Sequence, residues 1–324
     1  MKRIVSLDIA KAICIVLVVV GHYMPDDVPL WYDKTHCFIY SFHMPLFMFA
    51  SGFIYMATRK EVGYWAFLWK KVKRLMVPYF VTSIIIISLK LLMESRAYVE
   101  NPVTLMSYVR IFYLPEAGYF LWFIWALWWM FVIAPLFKSP ALRWVLLAIG
   151  IVLAYVPFRT TELFCIAQFK HMLVYFALGI VMAEHRQVIW QYARKCMPAI
   201  YVLFCGSEAL LLTNSYGGGY LGRIVPYLGI ASIIGVSEMI AKSRCDRIVG
   251  WLIGLSASSY IIYLFHTTFE GFVKSIVHKL NMSGDQWFVL EALCVIAAGV
   301  IGPILLHKWV LSRFKITRLL FGLK

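Results

Sequence analysis

The chain has 324 residues, of which 62% are hydrophobic and only 15% charged, and its mean hydropathy is +0.78. Soluble domains hold about 45–50% apolar and about 25% charged residues, so this composition requires hydrocarbon around most of the surface and excludes a disordered chain, a disulfide scaffold and a secreted hydrolase. A net charge of +15 would suggest nucleic acid in a soluble protein; in a membrane protein it is the ordinary surplus of Lys and Arg on cytoplasmic loops, and no nucleic-acid partner is expected.

Runs of about 20 mostly apolar residues, the length that crosses a bilayer, are read at residues 4–23, 37–57, 75–93, 118–137, 141–157, 170–184, 198–213, 220–241, 248–270 and 287–311. The expected fold is all-α, a polytopic bundle of about 10 transmembrane helices forming a single domain over residues 1–324. The opening Met1-Lys2-Arg3 and the apolar run after it resemble a signal peptide, but Asp8 and Lys11 interrupt the run and no small-x-small cleavage site follows, so an uncleaved first helix is expected. With the N-terminus inside, about two thirds of the 31 Lys and Arg fall in cytoplasmic segments. That asymmetry places both termini in the cytoplasm. Gly217-Gly218-Gly219 reads as a loop. The seven cysteines show no C-x-x-C and no metal-ligand spacing; Cys14, Cys205 and Cys294 lie in apolar runs and read as small hydrophobes, and no metal is expected.

Ionisable groups inside spans cost about 2.5 to 3.5 kcal/mol near a helix centre, which makes each a functional candidate. In the first span, Lys11 and His22 are 11 positions apart, about three full turns, so they share one face about 16 Å apart. Asp8 lies three residues before Lys11, within pairing reach. The plainer alternative is that Lys11 snorkels to the interface beside Asp8 and His22 caps the span. In the second span His36 and His43 are seven apart and face one way. This span runs from outside to inside, so His43 lies at a depth from which it can approach His22, and Pro45 would kink the helix there. A buried histidine bonded to a carbonyl is the structural alternative for each.

The loop after the second span holds Lys70-Lys71-Val72-Lys73-Arg74. Lys71 and Arg74 would share a face at the cytoplasmic surface, a fork suited to phosphate groups or to lipid headgroups. Glu208 is a deeply placed carboxylate in the seventh span. The ninth ends on Ser256-Ala257-Ser258-Ser259-Tyr260 and His266, with Glu270 one turn further.

These blocks together resemble the integral-membrane acyltransferase family 3, bacterial inner-membrane O-acyltransferases that decorate glycans. The resemblance rests on Lys11 to His22 preceded by Leu7-Asp8, on Ser41-Phe42-His43-Met44-Pro45-Leu46-Phe47 through Ser51-Gly52, and on a basic pair before Pro78-Tyr79. It extends through Leu121-Trp122-Phe123, Phe176-Ala177-Leu178-Gly179 and Ser258-Ser259-Tyr260 to Leu264-Phe265-His266. The family's basic pair is arginine-x-x-arginine; here Lys71 stands in the first position, a point charge where Arg offers a planar fork. Some members carry an extra periplasmic hydrolase-like domain, and none is expected here.

The resemblance implies acyl-CoA, above all acetyl-CoA, as donor co-substrate, a hydroxyl of a surface or lipid-linked glycan as acceptor, a multi-pass protein of the bacterial inner membrane, and no permanently bound cofactor. The residue placement fits that division: Lys71 and Arg74 would hold the donor phosphates at the inner surface, and His22 is the expected general base, a role suited to a near-neutral pKa. His43 would orient His22 or the acceptor, and Lys11 with Asp8 would hold the inner end of the first helix; Ser51, Trp122, His266 and Glu270 complete the candidates. Two rival readings stand beside it. One is a glycan or small-anion transporter or flippase using Lys11, Glu208 and the histidines, although no inverted repeat of broken helices is apparent. The other is a haem protein ligated by two of His22, His43 and His266.

Overall fold

The computed structural model describes residues 4–25, 28–94, 99, 101–213, 219–280 and 286–323. Met1, Lys2, Arg3, Gly217 and Gly218 lie outside the described residues, and Gly219 opens a helix. The regular elements are helices, with no strand among the described residues: α1 Val5–His22, α2 Leu30–Ala57, α3 Tyr64–Lys71, α4 Val77–Met93, α5 Ser107–Arg110, α6 Trp122–Ile133, α7 Pro140–Tyr155, α8 Ile166–Glu184, α9 Arg186–Thr213, α10 Gly219–Lys242, α11 Asp246–Lys279, α12 Phe288–Leu306 and α13 Lys315–Leu320. Among the described residues nine helical segments are long and apolar enough to cross a membrane. With α7, a shorter apolar helix of 16 residues, they account for the ten expected spans and make this a multi-pass membrane protein.

Several helices outrun the apolar runs that announce them. α2 starts at Leu30, α9 at Arg186, and α11 continues through Glu270 to Lys279. These extensions are amphipathic: Arg186, Gln187, Gln191 and Arg194 recur at helical spacing, as do Lys274 and His278. The 34 residues of α11 rise about 51 Å, well beyond a hydrocarbon core of about 30 Å. His266 and Glu270 therefore sit in the body of a helix rather than at its end.

The basic stretch Lys70 to Arg74, expected in a loop, also lies within a helix. α3 runs through a π-helical turn, Val72–Met76, into α4, and Tyr64–Met93 is one 30-residue segment. No residue from 64 to 77 breaks a helix, and Pro78 explains the π turn. Proline has no N–H for the carbonyl four residues back and its ring crowds that carbonyl. The turn closed by Val77 N–H on the Val72 carbonyl widens the backbone just before it.

The chain forms two compact units, Met1–Arg59 with Tyr175–Tyr260 and Lys60–Val174 with Ile261–Lys324. In the first, α10 packs on α1, α2 and α9, and α1 packs on α2. One cluster of its core is Phe42, Phe204 and Val225, flanked by Leu17, Phe38 and Leu211. α2 and α8 approach backbone to backbone there. A Cβ on Gly52 would collide with the Phe176 carbonyl oxygen, and one on Gly179 with that of Phe49. Only glycine permits such a crossing, the small-residue contact that lets membrane helices pack without a hydrophobic drive. The motif fragments Ser51-Gly52 and Phe176 to Gly179 are two sides of this one contact.

In the second unit Tyr79 of α4 places its hydroxyl 2.8 Å and 2.9 Å from the carbonyls of Ile111 and Leu114 and sets its ring edge-on to Trp125 of α6. Phe164 and Cys165, before α8, both hold positive φ, 56° and 54°, a costly conformation for such side chains. Phe164 is pinned by its N–H on the Tyr113 carbonyl, 2.7 Å, and by Trp129 Nε1 donating to its own carbonyl, 3.0 Å.

Candidate active site

His22, His43, Lys11, Asp8 and Ser51 belong to the first unit; Lys71, Arg74, Trp122, His266 and Glu270 belong to the second. Each group is described within its own unit.

In the first unit His22 closes α1 and His43 lies mid-way along α2. Both flank the ring of Tyr40, with centroids 6.4 Å and 4.7 Å away, and His36 stacks on the same ring at 4.1 Å. Tyr40 is thus the ring that both histidines neighbour. Gly21 makes room for it, since a Cβ there would come within 2.9 Å of the Tyr40 ring. The sequence contained the signal: His36, Tyr40 and His43 follow the i, i+4, i+7 spacing of one helix face.

The two histidines share a backbone anchor and differ in access. His22 Nδ1 is 2.8 Å from the Val18 carbonyl, and His43 Nδ1 is 2.8 Å from that of Ile39. A carbonyl only accepts, so Nδ1 carries the proton in each and the neutral ring presents its lone pair at Nε2. His43 is 1% exposed, sealed among side chains. His22 is half-buried beside Tyr40, which is 44% exposed. The two rings thus differ in exposure, the first partly open and the second enclosed.

The helices carrying this pair are tied to each other by polar contacts. Cys14 Sγ donates to the His43 carbonyl at 3.1 Å, and Tyr32 Oη donates to the Val20 carbonyl at 2.8 Å. Cys14 is therefore more than a small hydrophobe. Ser41 Oγ donates to Glu208 Oε1 of α9 at 2.5 Å, with Glu208 only 4% exposed. Asp8 Oδ1 accepts from Ser256 Oγ of α11 at 3.0 Å. Lys11, half-buried, lies one turn beyond Asp8 on α1, and Ser51 precedes the Gly52 crossing.

In the second unit Lys71 ends α3 with Nζ 3.5 Å from the centre of the Phe131 ring and 5.3 Å from that of Phe67. This is a cation–π site. Arg74, within the π turn, is exposed, and the terminal Gly322 approaches its backbone. His266 of α11 is fully buried; its Nδ1 reaches the Tyr263 carbonyl at 2.8 Å and the Ile262 carbonyl at 3.1 Å. Phe120, two residues before Trp122, packs edge-on to His266 at 5.1 Å and accepts from Tyr263 Oη on its carbonyl at 2.6 Å. Glu270, one turn beyond His266, is buried.

A bundle of spanning helices that lodges histidine, lysine and carboxylates inside apolar surroundings defines a polytopic membrane protein with functional-site candidates inside its spans. The acyltransferase 3 family, described as an acyltransferase domain, matches residues 4–308. The chain belongs to that family. Among curated proteins it is similar to nodulation protein NolL of Sinorhizobium fredii (strain NBRC 101917 / NGR234), 28% identical over 192 residues, which are 56% of this chain and 50% of that one. It is also similar to nodulation protein NolL of Mesorhizobium japonicum (strain LMG 29417 / CECT 9101 / MAFF 303099), 26% identical over 205 residues, 59% of this chain and 52% of that one. The chain spans about half the length of the curated relatives it matches. No solved structure matches it significantly.

Proposed function

We propose that the protein is an O-acyltransferase that moves an acetyl group from cytoplasmic acetyl-CoA to a hydroxyl of a surface or lipid-linked glycan. The observation that carries this reading is the pairing of two histidines anchored alike through Nδ1 but unequal in access. His22 is the general base: Nε2 takes the proton of the acceptor hydroxyl as its oxygen attacks the thioester carbon. The C–S bond then breaks and CoA leaves as the thiolate, which takes up a proton. His43 is a positioning residue that holds Tyr40 and, through it, the His22 ring. Lys71 and Arg74 bind donor phosphates from the inner face, Lys71 leaving its aromatic seat to do so or steering through it, and Lys11 with Asp8 steadies the inner end of α1. Both termini face the cytoplasm of a bacterial inner membrane.

The test is transfer of radiolabelled acetyl from acetyl-CoA into envelope glycans by membranes containing the protein. Labelled glycan with stoichiometric release of free CoA is expected. Glycan movement across the bilayer without consumption of any acyl-CoA would instead establish the transporter reading.

A further inference from the structure

The first unit holds a cavity of about 620 Å³ that the proposed reaction does not use. That volume falls in the range of about 300 to 1,000 Å³ typical of small-molecule sites. Its walls are apolar: Leu7 of α1, Phe49 and Phe53 of α2, Met182 of α8, and Ile230 and Ile234 of α10. The remaining wall is the first half of α9, which supplies Trp190 and Met197 together with Arg186, Gln187, Gln191 and Arg194. Little of α9 is buried, so the cavity lies behind the first half of a surface helix.

We infer that this cavity takes one acyl chain of an anionic phospholipid, with the phosphate at Arg186. The apolar walls suit a hydrocarbon chain, and Gln187, Gln191 and Trp190 supply the polar and amphipathic groups that suit the ester level of a lipid, the usual station of tryptophan. Charge decides the head. Arg194 is held by Glu238 at 2.5 Å, and Glu238 also holds Lys242 at 2.6 Å, whereas Arg186 stands exposed at the rim. One exposed guanidinium, the other lining arginine being engaged by Glu238, matches a singly charged headgroup and is poorly matched to coenzyme A with its several phosphates. Basic pockets between membrane helices on the cytoplasmic side are a known physical solution for such lipids.

The experiment uses the intact protein in nanodiscs of equal parts phosphatidylglycerol and phosphatidylethanolamine, each carrying a diazirine at the chain end in separate preparations. Photocrosslinks from phosphatidylglycerol to peptides containing Trp190 and Met197 are expected, and native mass spectrometry should retain one phosphatidylglycerol per chain. Ala231→Trp, which fills the cavity, should lose that lipid. Arg186→Gln should weaken the preference for phosphatidylglycerol over phosphatidylethanolamine about fivefold, the worth of one basic residue at an anionic surface. Absence of those crosslinks, or lipid retention unchanged in Ala231→Trp, would overturn the inference. Stoichiometric displacement of the retained lipid by palmitoyl-CoA would overturn it too, by assigning the cavity to an acyl donor. Should Ala231→Trp fail to fold, the crosslink map of the unaltered chain decides alone.

Discussion

At the scale of single residues, exposure separates the two histidines to which the sequence reading gives different roles, His22 as base and His43 as orienting residue. His22→Ala is expected to lower kcat/KM by at least about 100-fold, the contribution of a positioned general base, whereas His43→Gln should cost about tenfold or less because it acts through Tyr40. Steady-state kinetics on the two variants checks this, with Tyr40→Phe near wild type and Tyr40→Ala resembling His43→Gln. Ser41→Ala removes the hydroxyl that donates to Glu208 and leaves a buried carboxylate short of a partner. The expected loss is about 0.6 to 2 kcal/mol, read as a fall of a few degrees in Tm in detergent. Glu208→Gln should lose less, since an amide can still meet the serine hydroxyl. Glu208 was visible in the sequence as a carboxylate in an apolar run. Its partner lies 167 positions away, and no local pattern points across such a gap.

At the scale of elements, hydropathy located the cores of the helices and misplaced their ends. A window of apolar residues registers hydrocarbon contact, so α9 read from residue 198 although it begins at Arg186, where polar residues alternate with apolar ones toward the headgroups. The same limit hid the helix beneath Lys70 to Arg74, because a run of cations looks like a loop when only hydropathy is weighed. The motif fragments around Gly52 and Gly179 were legible as residues and illegible as a contact, since nothing in either stretch names the other. That contact gives a direct expectation at this scale. Gly52→Ala and Gly179→Ala each drive a methyl into a backbone carbonyl, which cannot rotate aside as a side chain would, and each should cost about 1 to 3 kcal/mol or more. Folded yield and Tm of the two single variants should fall by similar amounts, and the double variant should lose less than their sum because both disrupt one crossing.

At the scale of the molecule, the composition already required a membrane protein, and the spans and their all-α bundle followed from lengths and breaks alone. Which intramembrane groups face one another did not follow, because that depends on how α1, α2 and α9 are rotated about their axes. The asymmetry of Lys and Arg predicts an orientation with both termini in the cytoplasm. Reporter fusions at both ends should give cytoplasmic signals, and a reporter in the segment between α1 and α2 an external one; the opposite pattern would place His22 at the inner face and remove it from the acceptor side.

The measurement that bears most directly on the mechanism is acetyl transfer to glycan by the protein with His22→Ala set beside His43→Gln, both confirmed to be inserted and folded. Loss of at least about 100-fold in the first, with a distinctly smaller loss in the second, is the expected result. Near-normal transfer by His22→Ala, or a greater loss in His43→Gln, would contradict the assignment of the base to the accessible histidine.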